Sequence, residues 1–150
     1  MGGCGKLVVA GGKGWQYEEV FRLAEELGLG DDVVFPGFLP LADLPLWYNS
    51  AALFAYPSLY EGFGLPVLEA MACGTPVMAA RSSCLPEVVG DAGPLVEPLD
   101  VEEWAAQLLR LAPDREERRQ LARRGLAQAA RFTWTEAARR TSEVYDGCRR

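Results

Sequence analysis

A run of apolar residues from Ala51 to Tyr56 stops at Pro57-Ser58, and the chain then passes Gly62, Gly64 and Pro66 in quick succession. A short continuous apolar block bounded by turn residues reads as a strand buried on both faces. Pro66 falls just inside the following segment, where proline is tolerated because the first N–H groups of a helix lack partners in any case. The order is therefore strand, glycine loop, helix. It aims backbone N–H groups and the positive end of a helix at one spot, which suits an anion and above all a phosphate.

From Leu65 to Cys73 the segment is apolar nearly all round and reads as a buried helix, with Glu69 in its second turn. A carboxylate in such a helix needs a partner, because a dry unpaired charge costs several kcal/mol. Two partners fit: the paired hydroxyls of a ribose, or an arginine elsewhere in a structural ion pair. The residue alone leaves both open. Glu61 lies in the loop beside the anion position, where like charge repels it. That favours neutral hydroxyls, such as those of a sugar.

Glu61 and Glu69, set in PSLYEGFGLPVLEAMACGTPV, closely resemble the signature of retaining glycosyltransferases of the GT-B fold, family 4 type. The resemblance runs from about Lys6 to Tyr145 and takes in VVFPGFLP, LPEVVGDAGPLVEP and the closing RFTW. A lone Glu-x7-Glu is a weak signal; the whole string in this order is a strong one. It implies the C-terminal, donor-binding half of a two-domain enzyme that transfers a sugar from a nucleoside diphosphate with the anomeric configuration retained. On that resemblance Glu61 is the catalytic residue, holding sugar hydroxyls. Gly62, Phe63, Gly64 and Leu65 supply diphosphate-facing amides, Glu69 takes the ribose, and Phe38 flanks the base. The implied partners are a nucleoside-diphosphate sugar and an acceptor that is a glycan, a lipid or a small molecule.

The resemblance also shows what to miss. In those enzymes the donor half opens with one more strand, helix and glycine-rich turn, carrying an Arg and a Lys that clamp the pyrophosphate. No match for it precedes Leu7, and the acceptor-binding N-terminal domain has no match either. The missing strand would be central to a doubly wound sheet, so a gap or two uncovered strand edges are expected. The expectation is a partial donor domain, inactive by itself. No cofactor and no metal are expected. Adjacent Asp31 and Asp32 precede a strand, whereas ligands gather at strand C-terminal ends, and Glu61 is the lone carboxylate of the motif loop. The chain has no His, which excludes a His base or a Ser-His-Asp triad within it.

At 150 residues the chain is read as one domain, and 49% apolar composition suits a globular core. A net charge of −6 argues against nucleic acid as partner. No apolar run is long enough to span a bilayer and no leader opens the chain, so a cytoplasmic location is expected, with peripheral attachment to the inner membrane face open to a longer protein. Cys4, Cys73, Cys84 and Cys148 show no paired spacing and are read as reduced thiols.

In order, Leu7-Val8-Val9-Ala10 reads as a buried strand. The following Gly11-Gly12-Lys13-Gly14 lacks the G-x-G-x-x-G spacing, and Lys13 is read as solvated. Tyr17, Val20, Phe21, Ala24 and Leu27 share a helix face closed by Gly28. Val33-Val34-Phe35 is a strand, with Phe35 core and Phe38 the better candidate for the base. Asp43 to Asn49 is a short helix. Pro76 to Ala80 is a buried strand, ending in a polar Arg81-Ser82-Ser83 loop on the ligand side. A short Pro86–Val89 helix and a Gly93–Val96 strand follow, and Glu87 is read as favouring the helix dipole. Val101, Trp104, Ala105, Leu108, Leu109 and Ala112 keep the helix repeat; Asp114 and Arg118 are read as an i,i+4 pair. Thr133 is an N-cap, before a terminal helix expected to turn Trp134, Ala138, Thr141 and Tyr145 inward. The fold class is α/β: a Rossmann-like, doubly wound parallel sheet with C-terminal helices. Two other functions stay in play. One is a non-catalytic nucleotide-sugar binding module. The other is a nucleotide-dependent enzyme on a similar scaffold, such as a nucleotide-sugar epimerase or, less well supported without G-x-G-x-x-G, a dinucleotide oxidoreductase.

Overall fold

The computed structural model describes residues 5–12 and 17–148. The expectations for Cys4, Lys13 and Gly14 lie outside the described residues. The chain divides into two compact units, Met1–Leu44 and Pro45–Arg150. Every strand pairing is parallel and helices separate the strands, as an α/β fold requires.

The first unit pairs β1 (Leu7–Ala10) with β2 (Val33–Gly37), in the register Leu7 to Val33 and Val8 to Val34. Helix α1 (Tyr17–Glu26) links them. Gly28, at φ +64°, closes α1 in the left-handed conformation that residues with a Cβ avoid. Phe21 of α1 packs on Phe35 of β2 with ring centroids 4.3 Å apart. The expected burial of β1 is not found: Leu7 is 57% exposed, and α1 has no buried residue. A parallel strand is buried only when both its faces are covered and both its edges paired. Here β1 pairs on one edge only, with β2.

The second unit holds β3 (Phe54–Tyr56), β4 (Val77–Ala80) and β5 (Leu95–Val96) in that spatial order. Strand β4, flanked on both edges, is buried at every residue. Strand β3 is shorter than the Ala51–Tyr56 run and only partly buried, because β4 is its single partner. The described strands form two sheets, in which β1 and β3 each keep an unpaired edge among the described residues.

The core of this unit gathers between β4 and helices α3 (Leu65–Ala72), α4 (Leu85–Val89) and α6 (Arg115–Ala129), around Val67, Met71, Met78, Leu85, Val88 and Val89. Gly125 lets α6 lie close on α3: a Cβ there would stand 3.3 Å from Met71 Cγ. Buried Gln128 donates to the carbonyls of Glu87 and Val88, satisfying the end of α4. Helix α3 is not buried all round as expected. Val67, Ala70 and Met71 face the core, while Leu65 and Glu69 are exposed.

The C-terminal helices depart further from the sequence reading. Helix α5 (Val101–Leu111) buries Trp104 and Leu111, leaving Val101 and Leu109 exposed. Asp114 makes no ion pair with Arg118. It caps α6 by accepting from the Glu117 N–H, and Arg118 donates to the carbonyls of Leu111 and Ala112 at the end of α5. Asp100 caps α5 likewise, accepting from the Glu103 N–H. Thr133 caps α7 (Trp134–Gly147) as expected. The inward face expected of α7 is not inward: no residue of the helix is buried, and Trp134 is 90% exposed. Its amphipathic side, with Trp134, Val144 and Tyr145, is left exposed.

Candidate functional site

In the second unit the C-terminal ends of β3 and β4 feed two loops that interlock. The loop after β3 carries Ser58 and Glu61; the loop after β4 carries Ser82, Ser83 and Cys84. Glu61 is fixed at three points. Its Oε1 accepts from Tyr56 Oη at 2.6 Å and from Ser58 Oγ at 2.8 Å. Its backbone N–H donates to Ser83 Oγ at 3.0 Å, and its carbonyl accepts from Cys84 Sγ at 3.4 Å. Ser82 Oγ closes the junction by donating to the Ser58 carbonyl at 2.8 Å. Ser83 adopts φ +44°, rare for a residue with a Cβ, at the point where it meets Glu61. Burial, reinforced by the bond to Glu61, raises the Tyr56 hydroxyl well above its ordinary pKa, so it stays a donor.

Gly64 is the N-cap of α3 at φ +85°, and a Cβ there would come within 2.6 Å of Leu85 Cδ2. The positive φ and the contact with α4 both demand glycine. Gly62 differs: nothing lies within 4 Å of where its Cβ would stand. The N–H groups of Gly62, Phe63, Gly64 and Leu65 meet no acceptor among the described residues. Those of Gly64 and Leu65 are free donors of the helix start, and those of Gly62 and Phe63 belong to the loop that leads into it. Phe63 is anchored by an edge-to-face contact with Phe132, centroids 5.9 Å apart, which gives the closing RFTW segment a role at the motif loop.

Glu69 is exposed, and its Oε2 accepts from Tyr48 Oη at 3.1 Å. Tyr48 lies on α2 (Leu44–Ser50) and is 8% exposed. Burial first, then the neighbouring Glu69 carboxylate, raise its hydroxyl pKa. The arginine partner considered for Glu69 is absent among the described residues. Glu61 and Glu69 are thus brought to one end of the second unit with Gly62–Leu65 between them. Phe38, 76% exposed just after β2, belongs to the first unit. Among the described residues, no three His, Cys, Asp or Glu side chains converge as metal ligands.

Residues 5–128 match the family Glycosyl transferases group 1. The chain belongs to that family. This group 1 chain is 42% identical over 139 residues to O-antigen chain mannosyltransferase B of Escherichia coli, covering 93% of the chain and 36% of the relative. It therefore spans little more than a third of that relative's length. Among solved structures it resembles HepE of Anabaena in complex with UDP, at 26% identity and a TM-score of 0.85, over 95% of this chain and 41% of that one. HepE has also been solved with UDP-glucose. A third likeness is the C-terminal domain of a group 1 glycosyl transferase, LpcC of Francisella tularensis. It is 33% identical with a TM-score of 0.68, over 75% of this chain and 60% of that one. The GT-B resemblance and the α/β fold read from the sequence are in agreement with these likenesses.

The sequence reading singles out Glu61, the glycine loop and Glu69, but not the side chains that hold the two glutamates. The sequence reading takes Tyr56 only as strand and Ser58 only as the turn that ends it, and gives Tyr48 no role in the site. Ser82 and Ser83 were placed on the ligand side without a task. A signal existed for Ser58 and Tyr56: hydroxyl residues a few positions before an exposed-loop glutamate.

Proposed function

We propose that this chain is the donor-binding part of a glycosyltransferase that moves a sugar from a nucleoside diphosphate to an acceptor hydroxyl with retention. The observation that carries it is the three-point anchoring of Glu61 beside the Gly62–Leu65 amides, which lead into α3 and meet no acceptor among the described residues. When the bond from the sugar's anomeric carbon to the diphosphate oxygen breaks, negative charge grows on the diphosphate. Preorganised N–H groups and a helix N-terminus stabilise that charge most when they need no rearrangement. Glu61, held through Oε1, presents Oε2 to sugar hydroxyls. Glu69 offers Oε1 to the ribose. The acceptor oxygen bonds to the anomeric carbon on the face the diphosphate leaves, and its proton passes to the departing phosphate oxygen or to solvent.

The binding of UDP and UDP-glucose by HepE, and the mannosyl transfer named for the E. coli relative, support a nucleotide-sugar donor. We place the reaction in the cytoplasm and without a metal ion; the fuller charge neutralisation comes from an Arg and a Lys outside this chain. The isolated chain then binds donor weakly and does not turn it over. Amide NMR during titration with UDP, GDP and ADP and their sugar conjugates tests this. One nucleoside diphosphate should move the Gly62–Leu65 amides at millimolar concentration, with no sugar transfer to added acceptors. No movement of those amides with any of the nucleotides, or measurable transfer by the purified chain, would overturn it.

A further inference from the structure

Three aromatic residues link the two motif glutamates. Tyr48 of α2 packs edge-to-face on Phe54 with centroids 5.4 Å apart, and Phe54 stacks on Tyr56 at 5.8 Å. Each end of this ladder carries a phenol, and each phenol donates to a different glutamate: Tyr48 to Glu69 Oε2, Tyr56 to Glu61 Oε1. The backbone behind Tyr48 is fixed too, since buried Thr75 Oγ1 donates to its carbonyl at 2.7 Å.

We propose that Tyr48 and Tyr56 are positioning residues, which set the separation and aim of the two carboxylates through a shared aromatic ladder. The proposal rests on the donor-binding reading of Glu61 and Glu69. Glu69 is exposed and would otherwise sweep through its rotamers in water. A bond from a buried, ring-packed hydroxyl selects one of them. Each glutamate is held by one oxygen, and the other takes no hydrogen bond from the described residues. Clamping a single oxygen fixes the side chain while leaving an acceptor for a ligand hydroxyl. Hydrogen bonds to charged groups are among the stronger ones, so their loss has a readable effect. The raised hydroxyl pKa of both tyrosines keeps both clamps protonated, and so donating, at neutral pH.

Tyr48→Phe and Tyr56→Phe keep the rings and remove only the donors. Tyr56→Phe should weaken binding of the sugar nucleotide about tenfold while leaving the bare nucleoside diphosphate unchanged, because Glu61 meets the sugar alone. Tyr48→Phe should weaken both ligands about equally, because Glu69 meets the ribose that both carry. Ser58→Ala should repeat the Tyr56→Phe pattern more weakly: each variant leaves Glu61 one donor, but the Ser58 bond, at 2.8 Å, is longer than the 2.6 Å bond from Tyr56. Simple loss of packing predicts no such split, and equal effects of the two tyrosine variants on both ligands would sink the proposal. If the unmodified chain binds no nucleotide, the donor-binding reading fails. The clamp is then judged from the side-chain carboxyl carbon resonances of the free protein. Tyr56→Phe should move that of Glu61 and spare Glu69, with the reverse for Tyr48→Phe; resonances that stay in place in both variants overturn it.

Discussion

Glycines 62 and 64 stand two residues apart and are required for different reasons. Gly64 sits at φ +85° with Leu85 against the place of its missing Cβ, so the fold needs it. An added methyl there costs both left-handed strain and a displacement of the buried Leu85 side chain. Gly64→Ala should therefore cost about 2–4 kcal/mol in a denaturant melt. Gly62 has open space around it, so Gly62→Ala should leave stability within about 0.5 kcal/mol. The same methyl stands where a diphosphate would approach the loop amides, and nucleotide affinity measured by titration should fall. A Gly62→Ala variant that binds as well as the parent would remove the diphosphate from this loop.

Helices α5, α6 and α7 begin in one way: an acceptor side chain caps the N–H of a glutamate three residues on, at Asp100, Asp114 and Thr133. The acidic first turns also suit the helix dipole. Between α5 and α6 the same short stretch serves both helices, since Asp114 satisfies the amides of one and Arg118 the carbonyls of the other. Asp114→Ala should cost about 1 kcal/mol by thermal or denaturant melting. Because Asp114 and Arg118 do not pair, that cost should be the same in an Arg118→Ala background. A markedly smaller cost there would restore the i,i+4 ion pair.

The charge arrangement of the whole molecule bears on how a transferase containing it neutralises a leaving diphosphate. Carboxylates pair with arginine on helix surfaces, as between Arg139 and Glu136 or Arg22 and Glu26, and no three of them converge as metal ligands among the described residues. A divalent ion needs several oxygen ligands in one place. On the proposed reading, the loop amides and helix end supply fixed dipoles in place of an ion. An enzyme that carries this chain in full-length form should keep its transfer activity in excess chelator. Activity lost on chelation and restored by magnesium or manganese would require a different phosphate site. Among the described residues, no helix is long and apolar enough to cross a membrane.

The strand–loop–helix at the centre of the chain was legible in sequence because its signals are local. An apolar block, two glycines and an early proline each restrict the backbone where they stand. The burial of Val77–Ala80 and the Thr133 cap were legible for the same reason. What holds the glutamates was not legible. Tyr48 meets Glu69 across 21 positions of sequence, and Ser83 meets the Glu61 amide across 22. No propensity or period encodes such a meeting; packing of α2 and of the β4 loop against the motif creates it. The exposed faces of β1 and α7 follow similar logic. An apolar pattern states that a face gains by being covered, roughly 25 cal/mol for each Å² removed from water. Whether a covering element is there to collect that gain is decided by the tertiary structure alone.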